Sequence, residues 1–141
     1  MRRTILADTT PLYAAASTRD QYHTRAQAEL NELERGGWAI AATVPTLMET
    51  YTLMLHRLGI PAAHQFLDSF TGAATLIVPT EEDFAAAMVR VQSYYDQPLT
   101  LFDALLAAVS SRLALPVWTY DAHFDVLRVT RWYADAAQRE S

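Results

Sequence analysis

Residues 99–125 read LTLFDALLAAVSSRLALPVWTYDAHFD, and this stretch decides the fold. Residues 101–113 have the composition of a helix, and the apolar run at 117–120 predicts a strand without polar alternation. Asp103 lies in the first turn of that helix, and Asp121 directly follows that strand. A helix followed closely by a continuous apolar strand is typical of a parallel sheet that is covered by helices.

The rest of the chain repeats this alternation between helices and apolar strands. Further strands are predicted at residues 4–7, 38–42 and 74–78, and residues 126–129 are a candidate for a last short strand. Helices are predicted from residue 10 onward, at 19–35, at 45–58 with a continuation to about 70, and at 80–94. We therefore predict one α/β domain over residues 1–141, with a mainly parallel central sheet of four to five strands and helices on both faces.

The bulk composition narrows the classes of function. The 141 residues carry a net charge of −5, contain no cysteine, and include 11 basic residues that are all arginine. Disulfides, thiolate metal sites, cysteine nucleophiles, lysine Schiff bases and P-loop lysines are therefore excluded. No apolar run is long enough to span a bilayer, and the apolar part of the N-terminus is too short for a signal peptide. We expect a cytoplasmic protein without a membrane partner.

Four acidic residues are predicted to meet at one edge of the sheet. Asp8 and Asp121 directly follow predicted strands, whereas Glu49 and Asp103 lie in the first turns of predicted helices. In an open parallel sheet, ligands bind beyond the carboxyl ends of the strands, where the following helices also begin. The predicted topology alone therefore brings these four carboxylates towards one place.

Helix capping is the alternative explanation for two of these acids. Glu49 and Asp103 each follow a threonine by three residues, which is the spacing of a capping box. Asp83 repeats this spacing at a helix where no site is predicted, so the spacing by itself does not indicate a function. Capping does not account for Asp8 and Asp121, which follow strands.

Clustered carboxylates repel one another unless something neutralises them. An all-oxygen cluster suits a hard cation such as Mg²⁺ or Mn²⁺, so we predict a site for one or two such ions. Asp125 is a fifth ligand, an acid that supports the ligands, or a solvated loop residue, and the sequence does not choose among these. His123 is near the predicted site, but a surface position is the better prediction for it.

The acids and the hydroxyl residues near them form motifs that resemble those of the PIN-domain nucleases, and in particular those of the small VapC-type toxin ribonucleases. The resemblance covers essentially the whole chain. It rests on an acid and a hydroxyl residue after the first strand, a Glu after the second strand, a hydroxyl three residues before a helix Asp, and a T-x-D-x-x-F segment. The residues are Asp8 with Thr10, Glu49, Thr100 with Asp103, and Thr119, Asp121 and Phe124.

The resemblance implies a metal-dependent endoribonuclease. Asp8, Glu49, Asp103 and Asp121 match the family's metal-binding and catalytic acids. It also implies an antitoxin protein as partner and a homodimer. In the resulting hypothesis, hydroxyl groups orient the carboxylates, and arginines contact the RNA backbone. The hydroxyl residues are Thr10, Thr100 and Thr119, and the arginines are Arg19, Arg25 and Arg57.

Two other functions remain compatible with the residues. One is a catalytically silent module of the same fold that binds RNA or a protein. The other is a nuclease that cuts DNA or a particular nucleic-acid structure, because no residue pattern identifies a contact to the RNA 2′-hydroxyl.

Overall fold

A computed structural model describes residues 3–134 of the chain. Within this range, four parallel strands form one sheet in the order β3-β2-β1-β4. The strands are β1 (Thr4–Ala7), β2 (Ala39–Thr43), β3 (Thr75–Ile77) and β4 (Val117–Trp118). The predicted parallel α/β fold is confirmed, with four strands.

Seven helices accompany the sheet in the described part of the chain. They are α1 (Thr9–Ala16), α2 (His23–Arg35), α3 (Val44–Leu58), α4 (Ile60–Ala73), α5 (Glu81–Ser93), α6 (Leu101–Leu113) and α7 (His123–Val126). No helix among residues 3–134 combines the length and the apolar composition needed to cross a membrane.

The central strand β1 is buried on both faces of the sheet. Ile5 packs in a cluster with Leu33 of α2, whereas its neighbour Leu6 packs in a separate cluster with Leu106 of α6. Successive side chains of a strand point to opposite faces, so helices cover both faces of this sheet. This explains why β1 is a continuous apolar run, and it confirms the predicted layering.

The candidate strand at residues 126–129 is wrong. The helix α7 occupies His123–Val126, and Arg128 then adopts a left-handed backbone with φ of 59°. A positive φ interrupts an extended strand. In the described range, the chain beyond α7 pairs with the sheet only through an isolated parallel bridge between Val117 and Arg131.

The buried face of α3 contains two threonines beside an apolar residue. Thr46, Thr50 and Met54 are buried, whereas the apolar Met48 is 62% exposed. The Thr50 hydroxyl donates to the Thr46 carbonyl oxygen at 2.7 Å. Threonine enters the core here because its hydroxyl is satisfied within the helix, which leaves only its methyl group to pack.

The Asp83 carboxylate ties α5 to α6. It accepts hydrogen bonds from the Thr80 backbone N–H at 2.9 Å and from Arg112 Nη2 at 2.8 Å. The guanidinium of Arg112 is the main reason why the pKa of Asp83 is lowered. Thr80 and Asp83, the third pair with capping-box spacing, therefore have a structural role.

Asp83→Asn should lower the free energy of unfolding at pH 7 by about 1–2 kcal/mol, because the charged hydrogen bonds to Arg112 and the helix cap are weakened. A lowered pKa contributes stability above the unfolded value of about 3.9, and this contribution is lost as the pH falls through the folded value. Urea denaturation should therefore show the difference at pH 7 and lose it near pH 2. An equal difference at both pH values would contradict this role of the charge.

Candidate metal centre

The structure brings the four predicted acids into one groove of about 630 Å³. Asp8 follows β1 and is the N-cap of α1, and Asp121 follows β4. Asp103 lies in the first turn of α6, and Glu49 lies on α3. Since β1 and β4 are parallel neighbours, Asp8 and Asp121 leave the sheet at the same edge.

Asp8 is the most buried of the four acids, with 6% of its surface exposed. Its Oδ2 atom accepts hydrogen bonds from Thr119 Oγ1 at 2.8 Å and from Thr10 Oγ1 at 3.2 Å. Burial raises the pKa of Asp8, and the negative charge of Glu49 adds to this. Burial favours the protonated form of this carboxyl group. The hydrogen bonds from the two threonines to Oδ2 act in the opposite direction and favour the charged form.

The same two hydroxyls also fix the backbone of the loop after β4. Thr10 Oγ1 accepts from the Tyr120 N–H at 3.0 Å, and Thr119 Oγ1 accepts from the Asp121 N–H at 3.0 Å. The first turn of α1 and the end of β4 are therefore cross-linked at the position from which Asp121 projects. The predicted supporting residues Thr10 and Thr119 both contact Asp8.

Asp103 carries the clearest electrostatic signature of the cluster. Burial, together with the negative charges of Asp8 and Asp121, raises its pKa to about 7. The Thr100 hydroxyl caps α6 by accepting from the Asp103 N–H at 3.1 Å, as predicted from the sequence spacing. A carboxyl whose pKa is raised by burial and by neighbouring acids marks a place where a negative charge is costly without a partner.

Glu49 is not a capping residue. The N-cap of α3 is Thr43, whose side chain accepts from the Thr46 N–H at 3.2 Å, and Glu49 lies beyond the first turn. The capping box predicted for Thr46 and Glu49 is therefore wrong. The Glu49 Oε1 atom instead accepts from Thr9 Oγ1 at 2.6 Å, which fixes the carboxylate in the groove. Thr9 was not identified from the sequence, where only the adjacent Thr10 matched a motif.

A second buried carboxylate, on Glu29 of α2, supports the Asp121 loop from the other side. Glu29 is 3% exposed, and its Oε1 accepts from Trp118 Nε1 at 3.1 Å and from the Tyr120 hydroxyl at 2.5 Å. Arg25 pairs with its other oxygen at 3.4 Å. This network was missed because Glu29 has the sequence context of a solvated helix position. It leaves the predicted RNA contact Arg25 engaged within the protein.

The comparisons with known proteins agree with this arrangement. The family model described as the PIN domain matches residues 5–129. The chain belongs to the PIN-domain family. Members of this family are typically magnesium-dependent nucleases, and the acidic groove of this PIN domain offers the oxygen donors that such a cation requires. No curated protein sequence matches this PIN domain.

Solved structures confirm the fold of this PIN domain. Mycobacterium tuberculosis VapC20, described as a sarcin–ricin loop cleaving toxin, superposes with a TM-score of 0.80 at 19% identity, covering 92% of this chain and 99% of that one. Rickettsia felis VapBC2, bound to a promoter DNA fragment, gives a TM-score of 0.71 at 13% identity, covering 91% and 96%. FitAcB from Neisseria gonorrhoeae gives 0.65 at 18% identity, covering 92% and 96%.

Some residues predicted to act in the site lie elsewhere in this PIN domain. Asp125 is exposed and pairs with Arg131 at 3.2 Å, so the structure does not bring it to the acidic groove. Arg57 covers the Tyr13 ring with 5.5 Å between the guanidinium carbon and the ring centroid. Arg19 is exposed after α1, and neither arginine lines the groove.

Two histidines close to the acids had no motif to identify them. His56 lines the groove together with Glu49. His123 Nδ1 lies 3.1 Å from Asp121 Oδ1. Across residues 3–134, one group of three ligand atoms lies within 4.8 Å of one another, and its members are Asp103, Asp121 and His123. Asp8 and Glu49 are outside this compact group, although they line the same groove.

Proposed function

We propose that this protein is a metal-dependent endoribonuclease and the toxin of a toxin–antitoxin pair. The observation that carries the proposal is the convergence of Asp8, Glu49, Asp103 and Asp121 in one groove. Asp8 is the N-cap of α1 but its side chain makes no capping hydrogen bond, and Glu49 lies beyond the first turn of α3. The pKa of Asp103 is raised by burial and by its acidic neighbours. Such a cluster is costly for the fold unless a cation or a substrate uses it.

The four acids have different roles in this proposal. Asp103 and Asp121 would hold a Mg²⁺ or Mn²⁺ ion, with Asp8 as a further ligand and Glu49 acting directly or through water. When bound, the cation would supply Lewis-acid activation of a water and would stabilise charge on the phosphate.

The threonines keep the acids in position. Thr119 contributes most, because its hydroxyl donates to Asp8 and accepts from the Asp121 N–H. Thr10 repeats this arrangement at Asp8 and the Tyr120 N–H. Thr100 fixes the start of the helix that carries Asp103.

Thr119→Val should weaken Mn²⁺ binding by about 10–100-fold, because it removes the hydrogen bonds that orient Asp8 and Asp121. Isothermal titration calorimetry with Mn²⁺ measures this directly. Thr71→Val is a matched control, because Thr71 is exposed on α4 and its hydroxyl contacts only backbone carbonyls of its own helix. Equal Mn²⁺ affinities for Thr119→Val and the wild type would contradict the positioning role.

RNA cleavage by the purified protein, freed of any antitoxin, tests the activity. Total cellular RNA and an oligonucleotide with the sarcin–ricin loop, the element named for VapC20, would be incubated with Mg²⁺, Mn²⁺ or EDTA. We expect discrete cuts that require the metal and are absent with Asp8→Asn. Cuts in EDTA, or equal cutting by Asp8→Asn, would contradict the proposal. Such an RNA substrate would place the protein in the cytoplasm.

An antitoxin partner is supported by an apolar groove next to the acidic one. This groove, of about 540 Å³, shares Met48 and Phe102 with the acidic groove and is otherwise lined by Pro45, Phe84, Ala87, Met88, Leu101 and Leu105. An antitoxin segment with apolar and basic side chains would cover both grooves at once. The related structures FitAB and VapBC2 contain toxin–antitoxin pairs with DNA. Val89 of α5, which is 64% exposed and lines neither groove, would be available for a homodimer contact.

The two alternative functions are outcomes of the same cleavage experiment. Metal-dependent cutting of DNA but not RNA would identify a DNA-directed nuclease. Metal and RNA binding without cutting would identify a silent binding module, and the intact set of four acids is the feature that argues against it.

A further inference from the structure

His123 is held beside the acids by the chain on both sides of it. Its backbone N–H donates to Asp121 Oδ1 at 2.9 Å, and the next residue, Phe124, is fully buried in the core. The ring is 42% exposed, and its Nδ1 lies 3.1 Å from Asp121 Oδ1. The anchored backbone thus presents the imidazole to the same carboxylate that is proposed to hold the cation.

The spacing of the three ligand atoms is close to that of groups that share one ion. Neighbouring ligands of an octahedral ion with bonds of 2.0–2.1 Å are about 3.0 Å apart, and opposite ligands are about 4.2 Å apart. The Nδ1 and Oδ1 atoms of His123 and Asp121 are 3.1 Å apart. The atoms of Asp103, Asp121 and His123 all lie within 4.8 Å of one another. Small adjustments would bring all three to one ion.

We infer that His123 supplies a nitrogen ligand to the cation held by Asp103 and Asp121, and that this ligand makes the site prefer Mn²⁺ to Mg²⁺. This inference rests on the proposed metal site and specifies its chemistry. Both ions bind carboxylate oxygens, but Mn²⁺ is a first-row transition ion and accepts an imidazole nitrogen beside its oxygen ligands more readily than Mg²⁺, which keeps to carboxylates and water. A site formed only by the four acids would lack this bias.

The competing explanation for the same geometry is a simple ion pair between a protonated His123 and Asp121. In that case the ring would neutralise part of the acidic charge and would have to be displaced when a cation binds. Removing the ring would then strengthen the binding of every divalent cation. The nitrogen-ligand explanation predicts the opposite for Mn²⁺, so the two are distinguishable by experiment.

Binding measurements on His123→Ala test the inference without relying on activity. Calorimetric titrations with Mn²⁺ and with Mg²⁺ give the ratio of the two affinities for the wild type and the variant. We expect Mn²⁺ affinity to fall by at least about tenfold in His123→Ala, with a much smaller change for Mg²⁺. His56→Ala is the matched control, because His56 lines the groove but lies outside the compact group.

Pulsed electron paramagnetic resonance of the Mn²⁺-loaded protein gives a direct readout of the ligand. The wild type should show ¹⁴N modulation from a bound imidazole, which His56→Ala retains and His123→Ala loses. Mn²⁺ binding without ¹⁴N modulation, or an unchanged affinity ratio in His123→Ala, would overturn this inference and leave the proposed metal site standing. Absence of any Mn²⁺ binding by the wild type would overturn both.

Discussion

Asp103→Asn should abolish RNA cleavage and at the same time stabilise the metal-free protein. The amide removes a ligand charge from the groove, so we expect activity to fall by at least about 10²–10³-fold. It also removes a buried charge: burial, together with repulsion from Asp8 and Asp121, raises the pKa of Asp103 to about 7. The full pKa shift corresponds to about 4 kcal/mol, but solvent screening of this half-buried group reduces the expected gain to about 1–2 kcal/mol.

The pH dependence of this gain distinguishes the cost of the Asp103 charge, which comes from burial and repulsion, from a general effect of the amide. A group whose pKa is raised on folding contributes stability below its unfolded value, near 3.9, and this contribution is lost as the pH rises through the folded value. For Asp103 the folded value is about 7. Asp103→Asn should therefore gain stability over the wild type between about pH 4 and pH 7, with no further gain above about pH 8.

Urea denaturation in EDTA across this pH range measures the difference. Asp125→Asn is the matched control, because Asp125 is an exposed acid outside the groove, and its effect should stay within about 0.5 kcal/mol. An Asp103→Asn protein that cleaves RNA at the wild-type rate would contradict its proposed role as a ligand. A loss of stability at every pH would contradict the repulsion argument.

Saturating Mn²⁺ should raise the melting temperature of the wild type, because the four acids meet only in the folded chain. At a concentration 100 times Kd the stabilisation is about 2.7 kcal/mol, which corresponds to about 5–10 °C for a domain of this size. The shift should be smaller at pH 5.5 than at pH 8, since protons compete with the cation for Asp103.

Two variants separate specific binding from a general effect of Mn²⁺ on acidic surfaces. Asp121→Asn should lose most of the shift, whereas Asp83→Asn should keep it, because Asp83 bonds to Arg112 away from the groove. The absence of any shift in the wild type at saturating Mn²⁺, or an equal shift in all three proteins, would count against a metal site in the groove.

Much of the fold was predictable from the sequence because the strands are buried on both faces. The apolar runs that form β1 and β4 have no polar alternation; Asp8 follows β1 directly, and Asp121 lies three residues after the end of β4. The parallel topology then places both acids at one edge. The two carboxylates converge because of the parallel topology of the sheet. The local sequence patterns of strands and helices were sufficient to predict this topology.

Features that depend on tertiary contacts were not predictable in this way. The buried Glu29 of α2 depends on Trp118, a partner distant in the chain. The buried Thr50 of α3, whose hydroxyl is satisfied within its own helix, also lies 3.0 Å from the distant Thr9 Oγ1. Thr46 and Glu49 have the spacing of a capping box, but the N-cap of α3 is Thr43, three residues before Thr46, so the two residues do not cap the helix. Buried polar residues form hydrogen bonds with residues that are distant in the chain, and the local sequence pattern does not indicate these partners.

A crystal of the protein grown with saturating Mn²⁺ tests the central claim most directly. An anomalous difference map collected near the manganese absorption edge would locate the ion without reference to activity. We expect a peak in the acidic groove within ligand distance of Asp103 and Asp121, with Asp8 or Glu49 bound directly or through water. A map from saturated crystals with no peak in that groove, or with peaks only at other surface acids, would contradict the account.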